Sequence, residues 1–95
     1  MKTVNHRLSI DFRGEEGAFL RILGLMERRG YHLQSCNLKR EPDDHCRVEV
    51  VVQSDRAGDL LKRQLERLHN VQAVHLKPQE SNQSSVRRIN IHARA

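Results

Sequence analysis

The residues able to do chemistry are few, so their spacing decides what they can do. Two cysteines, Cys36 and Cys46, and six histidines, at 6, 32, 45, 69, 75 and 92, are the available soft ligands. There is no CxxC pair and no helical HExxH, whereas a structural zinc site needs four converging ligands, usually in two close pairs. His45 and Cys46 are adjacent at what reads as a turn and strand start, and nothing completes a set around them. Nucleophilic catalysis needs Ser or Cys beside a base that a third group orients, and no such spacing occurs. The acidic pairs Glu15–Glu16 and Asp43–Asp44 are sequence neighbours whose carboxylates diverge, and turn chemistry suffices for Asp43–Asp44. The pattern points away from an enzyme.

One segment remains, Arg13-Gly14-Glu15-Glu16-Gly17. Backbone N–H groups at a helix start receive carboxylates or phosphates well, and glycine lets a ligand approach the backbone closely. The same two glycines also make a tight strand-to-helix turn with no ligand, and physics alone tilts toward that plainer reading. A further glycine, Gly24, lies inside the following helix, where it costs about 1 kcal/mol relative to alanine; that cost argues for close packing there.

The elements that must position these residues follow from periodicity. Val4, His6, Leu8, Ile10 and Phe12 alternate with polar residues, which predicts a strand over 4–12 with one buried face. His6 then reads as a hydrogen-bonded rim residue rather than a ligand. Phe19, Ile22, Leu23 and Met26 are spaced as the buried stripe of a helix, with Glu15 and Glu16 at its positive end and Arg28 and Arg29 at its negative end. Gly30 is the expected left-handed stop. Tyr31–Arg40 and Cys46–Val52 read as a hairpin about Glu41-Pro42-Asp43-Asp44, with partners summing to about 85 in residue number. That register sets Cys36 near Glu49 and Cys46 near Lys39, too far apart for a disulfide, so both are expected as buried thiols. Ser54 or Asp55 caps a second helix over 56–69 carrying Leu61, Leu65 and Leu68, with Leu60 beside them. Asn70 is read as its left-handed terminator, and Val71–Leu76 as a fourth strand.

Strand, helix, strand, strand, helix, strand with right-handed crossovers gives an α+β, ferredoxin-like βαββαβ domain: a four-stranded antiparallel sheet with both helices on one face. The domain is expected over 1–77. Residues 78–95 form a polar tail, either disordered or contributing a weak strand over 86–95. The other sheet face has no cover from this chain, and Asn5, Arg7, Ser9, Asp11, Arg47 and Glu49 suit it to water. The outer strand, 31–40, is left with unpaired backbone groups, a hazard that pairing with a second copy removes.

Composition limits the partners. The 17 Lys+Arg against 12 Asp+Glu give +5, which favours phosphate contacts, but aromatics are only 3%. RNA-reading sheets of this topology stack bases on exposed rings, so nucleic acid ranks behind protein partners. No run of 18 apolar residues suggests a membrane span, and the N-terminus lacks a signal-peptide core. The cytoplasm is the expected compartment.

Gly17-Ala18-Phe19-Leu20-Arg21-Ile22-Leu23-Gly24-Leu25-Met26-Glu27-Arg28-Arg29-Gly30-Tyr31-His32-Leu33 resembles the opening of the ACT domain in small regulatory subunits of acetolactate synthase. Gln64-Leu65-Glu66-Arg67-Leu68-His69-Asn70-Val71 resembles that family's stretch before its last strand, and the chain length is similar to the short, isozyme II-like members. The resemblance implies a homodimer that binds and activates a separate catalytic subunit in branched-chain amino-acid synthesis. Thiamine diphosphate, FAD and magnesium would belong to that subunit, and none to this chain. It also implies an amino-acid effector site from Gly14, Glu15, Glu16, Gly17 and Ala18 of one chain and His32 of the other. The dimer interface would involve Tyr31, Leu33, Gln34, Cys36 and Leu38. Gly17 matches the family's loop glycine. Gly14 and His32 stand where valine-sensing members carry Asn, so weak or absent valine feedback is expected. A free-standing ACT sensor acting on another enzyme is the alternative.

Overall fold

The computed structural model describes residues 3–77. Six elements follow one another: β1 (Val4–Arg13), α1 (Ala18–Arg28), β2 (His32–Arg40), β3 (His45–Ser54), α2 (Gly58–Glu66) and β4 (Val71–Leu76). The strands form one sheet in the order β2-β3-β1-β4, every neighbouring pair antiparallel. This is the ferredoxin-like arrangement that the periodicities predict. The expected tail, with its weak strand over 86–95, lies outside the described residues.

Alternation builds the core. Leu8, Ile10 and Phe12 of β1, Cys46, Val48, Val50 and Val52 of β3, and Val74 of β4 are buried on the helix side of the sheet. Ala18, Ile22, Leu25 and Met26 of α1 and Leu61 and Leu65 of α2 close over them. The α1 stripe is thus rotated from the expected one: Leu25 is buried, while Phe19 and Leu23 are half-buried at its margin. Tyr31, just before β2, is fully buried and donates its hydroxyl to the Ala57 carbonyl at 2.7 Å. His6 packs edge-on against that ring and reaches the Arg56 carbonyl at 2.8 Å, the rim role expected of it.

Four expectations need correction. The hairpin partners sum to 86 through most of the ladder, so Cys36 faces Val50 and Cys46 faces Arg40. A one-residue slip exchanges the two faces, and only the even sum keeps Cys36 beside a core valine. Both thiols are free and buried, and burial pushes each above the ordinary cysteine range. The second helix is shorter than expected, running from Gly58 to Glu66 with Ala57 at its cap position. Ser54 instead accepts the Arg56 N–H at 3.0 Å in the turn before it. Glu15 and Glu16 precede the first turn of α1, which contains no acid. Asn70 is not left-handed; among the described residues the positive-φ ones are Gly17, Gly30 and Asp44. Gly30, at φ 87°, is the stop expected of it.

Candidate functional site

The glycine loop is built by what it is tied to. Arg13 donates its N–H to the Asn70 carbonyl at 2.9 Å, and Gly14 donates to the Asp44 carbonyl at 2.7 Å. Arg40 Nη2 donates back to the Gly14 carbonyl at 2.9 Å. A side chain at Gly14 has no room, since its Cβ would lie 2.8 Å from both Arg40 Nη2 and Cys46 Sγ. Gly17 turns the chain at φ 79° into α1 and supplies no capping side chain. Ala18 donates to the Glu15 carbonyl at 3.0 Å and Arg21 to the Gly17 carbonyl at 2.9 Å. The N–H groups of Gly17, Phe19 and Leu20 have no backbone acceptor among the described residues. An anionic group is favoured there by those donors and by the helix dipole.

Asn70 holds this loop in place. It is 4% exposed, its Oδ1 accepts from Arg21 Nη2 at 2.7 Å, and its Nδ2 donates to Glu15 Oε1. Glu15 also lies 3.7 Å from Arg13 Nε. Its carboxylate therefore braces the loop, whereas Glu16 stays exposed. Ala18 is buried, so only its backbone belongs to the site. Reading Asn70 as a helix terminator missed this role, because a turn asparagine and a buried bracket look alike in one sequence.

His32 lies elsewhere. It is separated from Gly17 by the whole of α1, whose 11 residues span about 16 Å at 1.5 Å each. It pairs with Gln53, at the opposite end of the sheet from Arg40 and Cys46 beside the loop. Its Nδ1 is 3.7 Å from Glu27, which also accepts the Leu33 N–H at 3.0 Å. Within one protomer, then, Gly14–Ala18 come together and His32 does not join them. Of the residues expected at a dimer contact, Tyr31 and Cys36 face the core, so any contribution of theirs is through backbone. Leu33, Gln34 and Leu38 are half-buried along the edge. A register shift at Gln34 leaves Ser35–Arg40 as the regular run of that edge strand.

The helix-free face carries a second constellation. Asp11 is 7% exposed, and Arg47 Nε donates to its Oδ1 at 2.7 Å. His45 Nε2 lies 3.3 Å from Oδ1 and His75 Nε2 3.7 Å from Oδ2. Burial alone would push this carboxyl up, but the hydrogen bond and charge of Arg47, with His45, hold it below the ordinary range. These groups come from β1, β3 and β4, and only the sheet topology brings them together. Beside them, Asn37, Lys39, Glu41, His45, Arg47 and Glu49 line an open polar depression of about 370 Å³.

Comparison with known proteins gives a consistent picture. The family profile described as "ACT domain" matches residues 14–74. The acetolactate synthase isozyme 2 small subunit of Escherichia coli K12 is 27% identical over 85 residues, covering 88% of this chain and 98% of that protein. Its Shigella flexneri counterpart matches to the same extent. Among solved structures, the ACT domain from GTP pyrophosphokinase of Chlorobium tepidum superposes with a TM-score of 0.68. That superposition covers 80% of this chain and 100% of that domain, and at 14% identity it speaks to the fold.

Proposed function

The chain belongs to the ACT domain family, and on that premise we propose that it is the regulatory subunit of an acetolactate synthase, activating a separate catalytic chain. The observation that carries this reading is the end-to-end match, spanning 98% of an acetolactate synthase small subunit of similar length. The catalytic chain would hold the thiamine diphosphate, FAD and magnesium. Both chains would work in the cytoplasm; no helix among the described residues is long and apolar enough to cross a membrane.

The active form would be a homodimer. β2 lies at one edge of the sheet, and an exposed edge is stabilised by pairing with another strand. Antiparallel pairing of two β2 strands about a two-fold axis brings the His32 end of one to the Arg40 end of the other. Arg40 bonds the Gly14 carbonyl, so this geometry delivers His32 to the glycine loop of the other protomer. The effector site would thus be completed only in the dimer, with a small amino acid as ligand. Valine is a poor candidate, since Gly14 offers backbone alone and His32 an imidazole where valine-sensing relatives carry amides.

Co-elution tests the reading. The chain mixed with the acetolactate synthase catalytic subunit of its own organism should migrate with it on size exclusion. Separate elution at micromolar concentrations of both would rule it out.

A further inference from the structure

We propose that the helix-free face of the sheet docks an acidic surface of the catalytic subunit, with Lys39 and Arg7 as cations that no acid among the described residues pairs. This rests on the regulatory-subunit reading above. Register fixes the rows of that face: Lys39, Arg47, Asp11 and Ala73 lie side by side across the sheet. Asn37, Glu49, Ser9 and His75 form the next row, and Ser35, Val51 and Arg7 the one after. Lys77 extends the last row, its N–H bonded to the Arg7 carbonyl at 2.9 Å.

Charge on the face is unbalanced in one direction: its rows carry Lys39, Arg47, Arg7 and Lys77 against Asp11 and Glu49. Lys39 and Arg47 are directly opposed on β2 and β3, and like charges so placed destabilise a sheet. Of these two cations only Arg47 is answered by Asp11, at 2.7 Å. Among the described residues no acid lies within ion-pair distance of Lys39, Arg7 or Lys77. By contrast, Lys62 on α2 is neutralised by Glu66 at 2.9 Å. Lys39 and Arg47 line the polar depression of about 370 Å³ together with Glu41 and Glu49, so the excess positive charge of the face lies along its rows rather than in that depression.

The dimensions suit a protein partner. Four strands of up to 10 residues, at about 4.8 Å between strands and 3.4 Å per residue, offer on the order of 600 Å². A standard interface takes roughly 800 Å² per partner. A single-stranded nucleic acid would need rings on this face, but Phe12 and Tyr31 are buried in the core and Phe19 lies on α1.

The test measures affinity for the purified catalytic subunit of the same organism. Charge reversal of Arg7→Glu with Lys39→Glu should weaken binding at least tenfold, and the neutral pair Arg7→Gln with Lys39→Gln should fall between it and wild type. Arg63→Glu with Arg67→Glu, at the C-terminal end of α2 and its cap, should bind as wild type does. Raising the salt should weaken wild-type binding, leave the neutral pair nearly unaffected and strengthen the residual binding of the reversed pair, because screening weakens attraction and repulsion alike. Circular dichroism melts of each variant establish that it is folded. Wild-type affinity in a folded sheet-face variant, or loss confined to the α2 variant, overturns the docking surface. Binding of a single-stranded RNA by wild type that the sheet-face reversal abolishes overturns the choice of partner. If wild type binds no catalytic subunit, the regulatory-subunit reading fails and this surface with it.

Discussion

Replacing Asn70 by alanine should loosen the glycine loop from outside it. The substitution deletes two hydrogen bonds to charged side chains, from Arg21 at 2.7 Å and to Glu15, at a position 4% exposed. Hydrogen bonds to charged groups contribute about 1.5–3 kcal/mol each. Arg21 and Glu15 are both exposed and recover water when released, which reduces the sum to about 2 kcal/mol. For a domain of this size each kcal/mol moves the midpoint by about 4–8 °C, so Asn70→Ala should melt roughly 8–16 °C below wild type. Differential scanning calorimetry at matched protein concentration is the assay, since assembly makes the midpoint concentration-dependent. Glu15→Gln removes one acceptor charge and should cost less than half as much. A midpoint for Asn70→Ala within about 2 °C of wild type would refute the bracket, being under 1 kcal/mol for a chain this small.

The remaining predictions concern the loop and the sheet face. Gly14→Asn should not create valine binding by isothermal titration and should destabilise the fold by about 1–3 kcal/mol, the usual penalty for overpacking. Arg40 can swing aside, but buried Cys46 and the Asp44 carbonyl at 3.3 Å cannot. Micromolar valine binding by either wild type or the variant would contradict this reading. Asp11 titrates below its ordinary value of 3.8 in the folded chain. Its contribution is therefore present above that value and lost as the pH falls below it. Chemical denaturation from neutral pH to about pH 2 should show wild type losing more stability than Asp11→Asn. The variant should be weaker by about 1.5–3 kcal/mol at neutral pH, and parallel acid profiles would exclude the Asp11 cluster as a stabilising element.

The elements were legible because each carries its own period: valines two apart in β3, and the buried Leu61 and Leu65 of α2 four apart. That both helices cover one face of the sheet followed from the handedness of the crossovers. What escaped reading depended on a single residue of register or on contacts distant in sequence. A hairpin sum of 85 instead of 86 was enough to set Cys36 beside Glu49 rather than Val50. The Asp11 cluster draws on residues 11, 45, 47 and 75, which nothing in a linear pattern connects. Asn70 has the composition of a helix stop and the surroundings of a buried bracket. The glycine loop was found as a candidate, but that Gly14 and Ala18 already spend their N–H groups within the chain required coordinates. So did the placement of His32 beyond the far end of α1.

The most direct measurement is the rate of acetolactate formation by the catalytic subunit of the same organism as this chain is titrated in. A rise of several-fold that saturates at a fixed ratio of the two polypeptides is the predicted result. An unchanged rate across the titration, with both proteins folded, would contradict the assignment of this chain as an activating subunit.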